Sequence, residues 1–118
     1  KEFIMESEPE LIKRAVENIT RNAVRHTREG STIEVSITPS GVDGLTISIR
    51  DHGSGVREED LEKIFRPFYR LDESRDRKLG GTGLGLAIAE RSIRLLGGKI
   101  KASNMDDGGL IVKIELRL

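Results

Sequence analysis

The sequence predicts an α+β fold: a two-layer α/β sandwich in which helices cover one face of a mixed, mostly antiparallel sheet. Three observations predict it. Two stretches repeat apolar residues at helical spacing, and four alternate them at strand spacing. The alternating stretches fall into two pairs, each joined by a short glycine-containing turn, so each pair reads as a hairpin. The third observation is length: 118 residues suffice for one core and are too few for two, so residues 1–118 read as a single domain.

The elements follow in order. From Glu8 to about Thr27 the chain reads as an amphipathic helix, with Pro9 suited to its first turn and Leu11, Ile12, Ala15, Val16, Ile19 and Ala23 as its apolar stripe. Ile33, Val35 and Ile37 alternate as a strand. After a turn at Gly41 to Gly44, Leu45, Ile47 and Ile49 alternate as a second. A short helix is expected over about Glu58 to Ile64. Arg70 to Gly81 is charged and glycine-ended, and a bare connection of that length in a compact domain usually serves function. Leu84 to Leu96 is the second long helix, ended by Gly97-Gly98. Ile100 and Ala102 mark a strand, Asp106 to Gly109 a turn, and Leu110, Val112, Ile114, Leu116 and Leu118 the last strand.

Composition removes several function classes. Lysine plus arginine balances aspartate plus glutamate at 20 each, and the only aromatic residues are Phe3, Phe65, Phe68 and Tyr69. No nucleic-acid partner is expected, because that needs a basic excess and stacking residues. The absence of cysteine excludes disulfides, thiolate zinc sites and cysteine nucleophiles, and two histidines, His26 and His52, are too few for a histidine metal cluster. No apolar run approaches the roughly 20 residues that span a bilayer. A chain that begins at Lys1 without methionine reads as an excised part of a longer protein.

Three constellations carry chemistry. Asn18, Asn22 and Arg25 lie within about 60° of one another on the first helix, beside the apolar stripe. Such a face can hold a hydrated divalent ion and the phosphates it bridges, since Mg²⁺ takes oxygen ligands and keeps several waters. The same pattern also fits a solvated helix face. Asp51-His52-Gly53-Ser54-Gly55 continues the inward parity of Leu45, Ile47 and Ile49, so the Asp51 carboxylate points to the core face and needs a donor. A purine amine would supply one; a plain Asp-Gly turn is the alternative. Gly80-Gly81-Thr82-Gly83-Leu84-Gly85 runs directly into a helix, where free N–H groups make an anion site. It is neither a dinucleotide fingerprint nor a P-loop.

With Phe65-Arg66-Pro67-Phe68 between the second and third constellations, the chain resembles the catalytic ATP-binding domain of sensor histidine kinases, the envelope-stress kinases in particular. Their superfamily also holds the gyrase, mismatch-repair and heat-shock chaperone ATPases. The resemblance implies the Bergerat-type fold, with ATP and Mg²⁺ as ligands. It implies a catalytic role for Asn18, Asn22 and Arg25: Asn22 ligates the metal, Asn18 lies beside metal and phosphates, and Arg25 meets the phosphates. By the same resemblance His26 lies against adenine, Asp51 takes the adenine amino group, and Gly53 and Gly55 shape the base pocket. Phe68, Arg70, Gly81, Thr82, Gly83, Leu84 and Gly85 join the nucleotide site, with Arg70 to Gly81 as an ATP lid anchored by Phe65 and Phe68.

The implied activity is transfer of the γ-phosphoryl group to a histidine on a separate dimerisation and phosphoacceptor domain, with a response regulator downstream. The fragment is expected to be monomeric, its parent a homodimer, and the domain to lie on the cytoplasmic side of the inner (plasma) membrane as part of a sensor protein. The hydrolytic relatives carry a glutamate where this chain has Asn18, which favours transfer over hydrolysis; Glu17 points about 100° away. A nucleotide-binding regulatory module without transfer activity and a stand-alone ATPase are the competing readings.

Overall fold

The computed structural model describes residues 2–69 and 83–117, with side chains from residue 8 onward. The first helix, α1, spans Glu2–His26 and starts six residues before the expected point, so Pro9 lies inside it. Proline withholds one N–H from the helical ladder, but Glu6, Glu8 and Glu10 around it are good helix formers. Strands β1 (Glu34–Ser40) and β2 (Gly44–Arg50) form the first hairpin, and β3 (Lys99–Asn104) and β4 (Leu110–Arg117) the second. Helix α2, Gly85–Leu95, connects them. It ends in a Schellman motif: Gly98 N–H donates to the Ile93 carbonyl at 3.0 Å and Gly97 N–H to that of Arg94 at 2.9 Å.

Among the described residues the sheet has four strands in the order β1-β2-β4-β3, every pair antiparallel. Register explains why one face is apolar. Ile47 pairs with Ile114, Ile49 with Val112, Ile100 with Ile114 and Ala102 with Val112, so inward residues meet across each ladder. The two helices pack on that face and on each other. Ile19, Ile49, Ile93 and Ile114 are fully buried at their junction, each worth about 1.5–3 kcal/mol of burial.

One expectation needs correction. The expected helix over Glu58 to Ile64 is instead two 3₁₀ turns, Glu58–Asp60 and Lys63–Phe65. Seven residues are too few to repay helix nucleation, and short 3₁₀ pieces need only local bonds. The strand expected over Val35 and Ile37 is present as β1. Val35 and Ile37 have the inward parity, opposite Ile49 and Ile47, yet remain 52% and 63% exposed because the helix layer does not extend over this edge.

Candidate functional site

Asp51 follows β2 directly and keeps its inward parity, leaving only 4% of the residue exposed. Its Oδ1 accepts from Gly53 N–H at 2.9 Å and from Leu110 N–H at 3.1 Å, while its own N–H donates to the Leu110 carbonyl at 3.0 Å. Both bonds fall on one oxygen, so Oδ2 keeps its accepting capacity, with no partner among the described residues. A buried carboxylate with a spare oxygen is suited to a donor on a ligand.

The turn after Asp51 is stitched to the end of α1. His52 N–H donates to Thr27 Oγ1 at 2.9 Å, and Arg28 N–H to the His52 carbonyl at 3.3 Å. At Gly53 a Cβ would lie 2.2 Å from the His26 carbonyl oxygen, so only glycine lets the turn press so close. His26 therefore borders the turn through its backbone. His52 turns away, its Nε2 2.7 Å from Glu34 Oε2.

The start of α2 meets α1 at Asn18. Asn18 Nδ2 donates to the Arg14 carbonyl at 2.8 Å, and its Oδ1 lies 3.5 Å from where a Gly85 Cβ would stand. Asn22, one turn on, and Arg25 are half-buried, and neither side chain bonds to a described residue. Glu17 is exposed. Leu84 caps α2 without a side-chain bond and the first turn holds no acidic residue, which leaves its N–H groups for an anion.

Phe68 N–H donates to the Gly83 carbonyl at 2.7 Å, with Phe68 at φ 64° and Gly83 at φ 80°. Phe65 packs on the core, whereas Phe68 is 71% exposed and holds the start of α2 through its backbone. Arg70, Gly81 and Thr82, with the whole expected lid from Arg70 to Gly81, lie outside the described residues.

Sequence reasoning missed Thr27, Asp60 and Asn104. Asp60, 2% exposed, accepts from Tyr69 Oη–H and, at 2.9 Å, from Arg57 Nε–H. The Tyr69 hydroxyl chiefly, then Arg57, hold the Asp60 carboxyl below the usual carboxylate range against the opposing effect of burial. In return Asp60 raises the Tyr69 phenol and the Arg57 guanidinium. Asn104 had one visible signal: it is a polar residue on the inward parity of Ile100 and Ala102. Thr27 and Asp60 had none. A shallow open hollow lined by Arg28 to Thr32 and His52 contains none of the expected site residues.

Three of the predicted constellations thus converge, through Gly53 against His26 and Gly85 against Asn18. The donors suit a nucleotide with a hard cation: a spare carboxylate oxygen, an amide oxygen at Asn22, a guanidinium at Arg25 and helix-start N–H groups.

The fold and sequence have known counterparts. The sensor histidine kinase CpxA of Escherichia coli is 50% identical over 110 residues, covering 93% of this chain and 23% of the kinase. The chain thus spans about a quarter of that relative's length. WalK of Bacillus subtilis is 38% identical over 117 residues, covering 98% of this chain and 19% of WalK. The solved mycobacterial sensor histidine kinase MprB superposes with a TM-score of 0.78 at 25% identity, covering 88% of this chain and 68% of that one. With residues 7–118 matching the histidine kinase-, DNA gyrase B- and HSP90-like ATPases, the chain belongs to that family, as an ATP-binding domain of the sensor histidine kinase type.

Proposed function

We propose that this domain binds Mg-ATP and transfers the γ-phosphoryl group to a histidine on a separate helical domain of the same kinase. The observation that supports the reading is that α1, which carries Asn18, Asn22 and Arg25, meets the Asp51 turn at Gly53 and the start of α2 at Gly85. A solved relative, full-length ShkA in complex with AMPPNP, supports it, with a TM-score of 0.77 at 25% identity over 90% of this chain and 21% of that one.

Asp51 Oδ2 accepts the adenine amino group, and Gly53 brings the backbone close to the base. Asn22 would hold Mg²⁺ through its side-chain oxygen, and the ion when bound would neutralise phosphate charge. Arg25 and the N–H groups at the start of α2 orient the phosphates, so positioning and electrostatics supply the rate. Asn18 is a neutral amide tied to its own helix, and provides no base to activate water. The acceptor histidine lies on the dimerisation domain of a homodimeric membrane sensor, whose response regulator takes the phosphoryl group onward. No described helix is long and apolar enough to cross a membrane.

The test supplies the chain with Mg-ATP and a helical domain carrying the acceptor histidine. Acid-labile phosphate should appear on the added domain and none on His26 or His52. Nucleotide binding without transfer would favour a regulatory module; release of free phosphate without transfer would favour an ATPase.

A further inference from the structure

We propose that Asn104 is a positioning residue of the base-binding turn, its carboxamide standing in for a strand neighbour of Val56. The inference rests on the reading of the Asp51 turn as the base pocket. Past the end of β2 the chain from Gly53 to Val56 belongs to no strand, so its backbone groups lack ladder partners. Asn104, the last residue of β3, supplies them for Val56. Its Oδ1 accepts from Val56 N–H at 2.8 Å, and its Nδ2 donates to the Val56 carbonyl.

This contact needs a donor and an acceptor on one planar group. A carboxamide provides both; a carboxylate provides only acceptors. The neighbouring Gly55 is equally close, since a Cβ there would lie 2.7 Å from Asn104 Oδ1. The same hairpin end holds Asp51 through Leu110, and Arg50 Nη2 ties its turn to β2 by donating to Asp107 Oδ1 at 2.5 Å. Leu110 thus fixes the first residue of the turn and Asn104 the last. A turn held at both ends meets the base without first being ordered, and that ordering cost would otherwise be subtracted from affinity.

The experiment titrates this chain with ADP, without metal, in the wild type and in Asn104→Asp and Asn104→Ala. Aspartate keeps the acceptor for Val56 N–H but sets an acceptor against the Val56 carbonyl; alanine removes both contacts. Both variants should raise the Kd for ADP by about tenfold while remaining folded in a thermal melt. The further gain on adding Mg²⁺ with ATP should stay as in the wild type, because the phosphate groups are untouched. A residue that only stabilised the fold would lower Tm and leave the Kd of the folded protein unchanged. A folded variant with a Kd within about twofold of wild type overturns the inference alone. A wild type that binds no ADP overturns the nucleotide reading as well. If neither variant folds, amide exchange in the nucleotide-free wild type decides: Val56 N–H should be protected, and exchange at open-loop rates overturns the proposal.

Discussion

Asp51→Asn separates binding from folding, because the two oxygens of Asp51 have different work. An asparagine can keep its Oδ1 where Gly53 and Leu110 donate, at 2.9 and 3.1 Å. Its NH₂ then occupies the place of Oδ2 and faces the adenine amine, donor against donor. Losing a hydrogen bond to a charged acceptor costs about 1.5–3 kcal/mol, and a buried donor without a partner about 1–3 kcal/mol more. Together these give about 2.5–6 kcal/mol, or roughly two to four orders of magnitude in Kd at about 1.4 kcal/mol per tenfold. Asp51→Ala strands both N–H groups as well, at about 1–3 kcal/mol each, so it should also lower Tm by on the order of 10 °C. Calorimetric titration with ADP and thermal melts of the three proteins read both effects. Wild-type affinity in Asp51→Asn, or equal loss of Tm in the two variants, would refute the division of labour between the oxygens.

Asn22→Ala should lower phosphotransfer by about 10²-fold or more yet change metal-free ADP binding little, since Asp51 still holds the base; parallel transfer and titration assays check this. Gly53→Ala should cost about 1–3 kcal/mol in a denaturant melt, because its Cβ meets the His26 carbonyl, whereas Ala at exposed Ser54 should be neutral. The Asp60–Tyr69 bond makes stability depend on pH at both ends. Asp60, held below its ordinary value, contributes stability that is present above about pH 4 and lost as pH falls through its folded pKa. Tyr69, raised above about 10, contributes stability present below that value and lost as pH rises through its folded pKa. The stability gap between wild type and Tyr69→Phe should therefore be widest at neutral pH and narrow towards both extremes; a flat gap from pH 2 to 7 would count against the bond.

What the sequence made legible was whatever rests on local periodicity. The stripe of α1 through Ala15, Ile19 and Ala23 is buried as read, and the parity that turns Ile47 and Ile49 inward carries on to Asp51. Helix termination at Gly97 was equally local. The contacts that shape the site join distant positions: Asn104 with Val56, Thr27 with His52, Asp51 with Leu110. Each depends on two turns arriving at one place, which no local pattern encodes. The two 3₁₀ turns show the converse, since their sequence has helical composition but lacks the length to use it. The exposure of Val35 and Ile37 depends on where the helix layer stops, which strand parity does not reveal.

That uncovered parity makes the two borders of the sheet unequal in colloidal terms. On β3 the outward positions carry Lys99 and Lys101, and a row of like charges repels a second copy approaching edge to edge. Among the described residues β1 is the other border strand, where Pro39 interrupts the backbone groups beside the exposed Val35 and Ile37. A strand from another molecule would thus add at β1, gaining apolar contact and ladder bonds together. Self-association of the isolated domain, read by sedimentation at rising concentration, is therefore expected at this border, and one lysine at position 37 should weaken it.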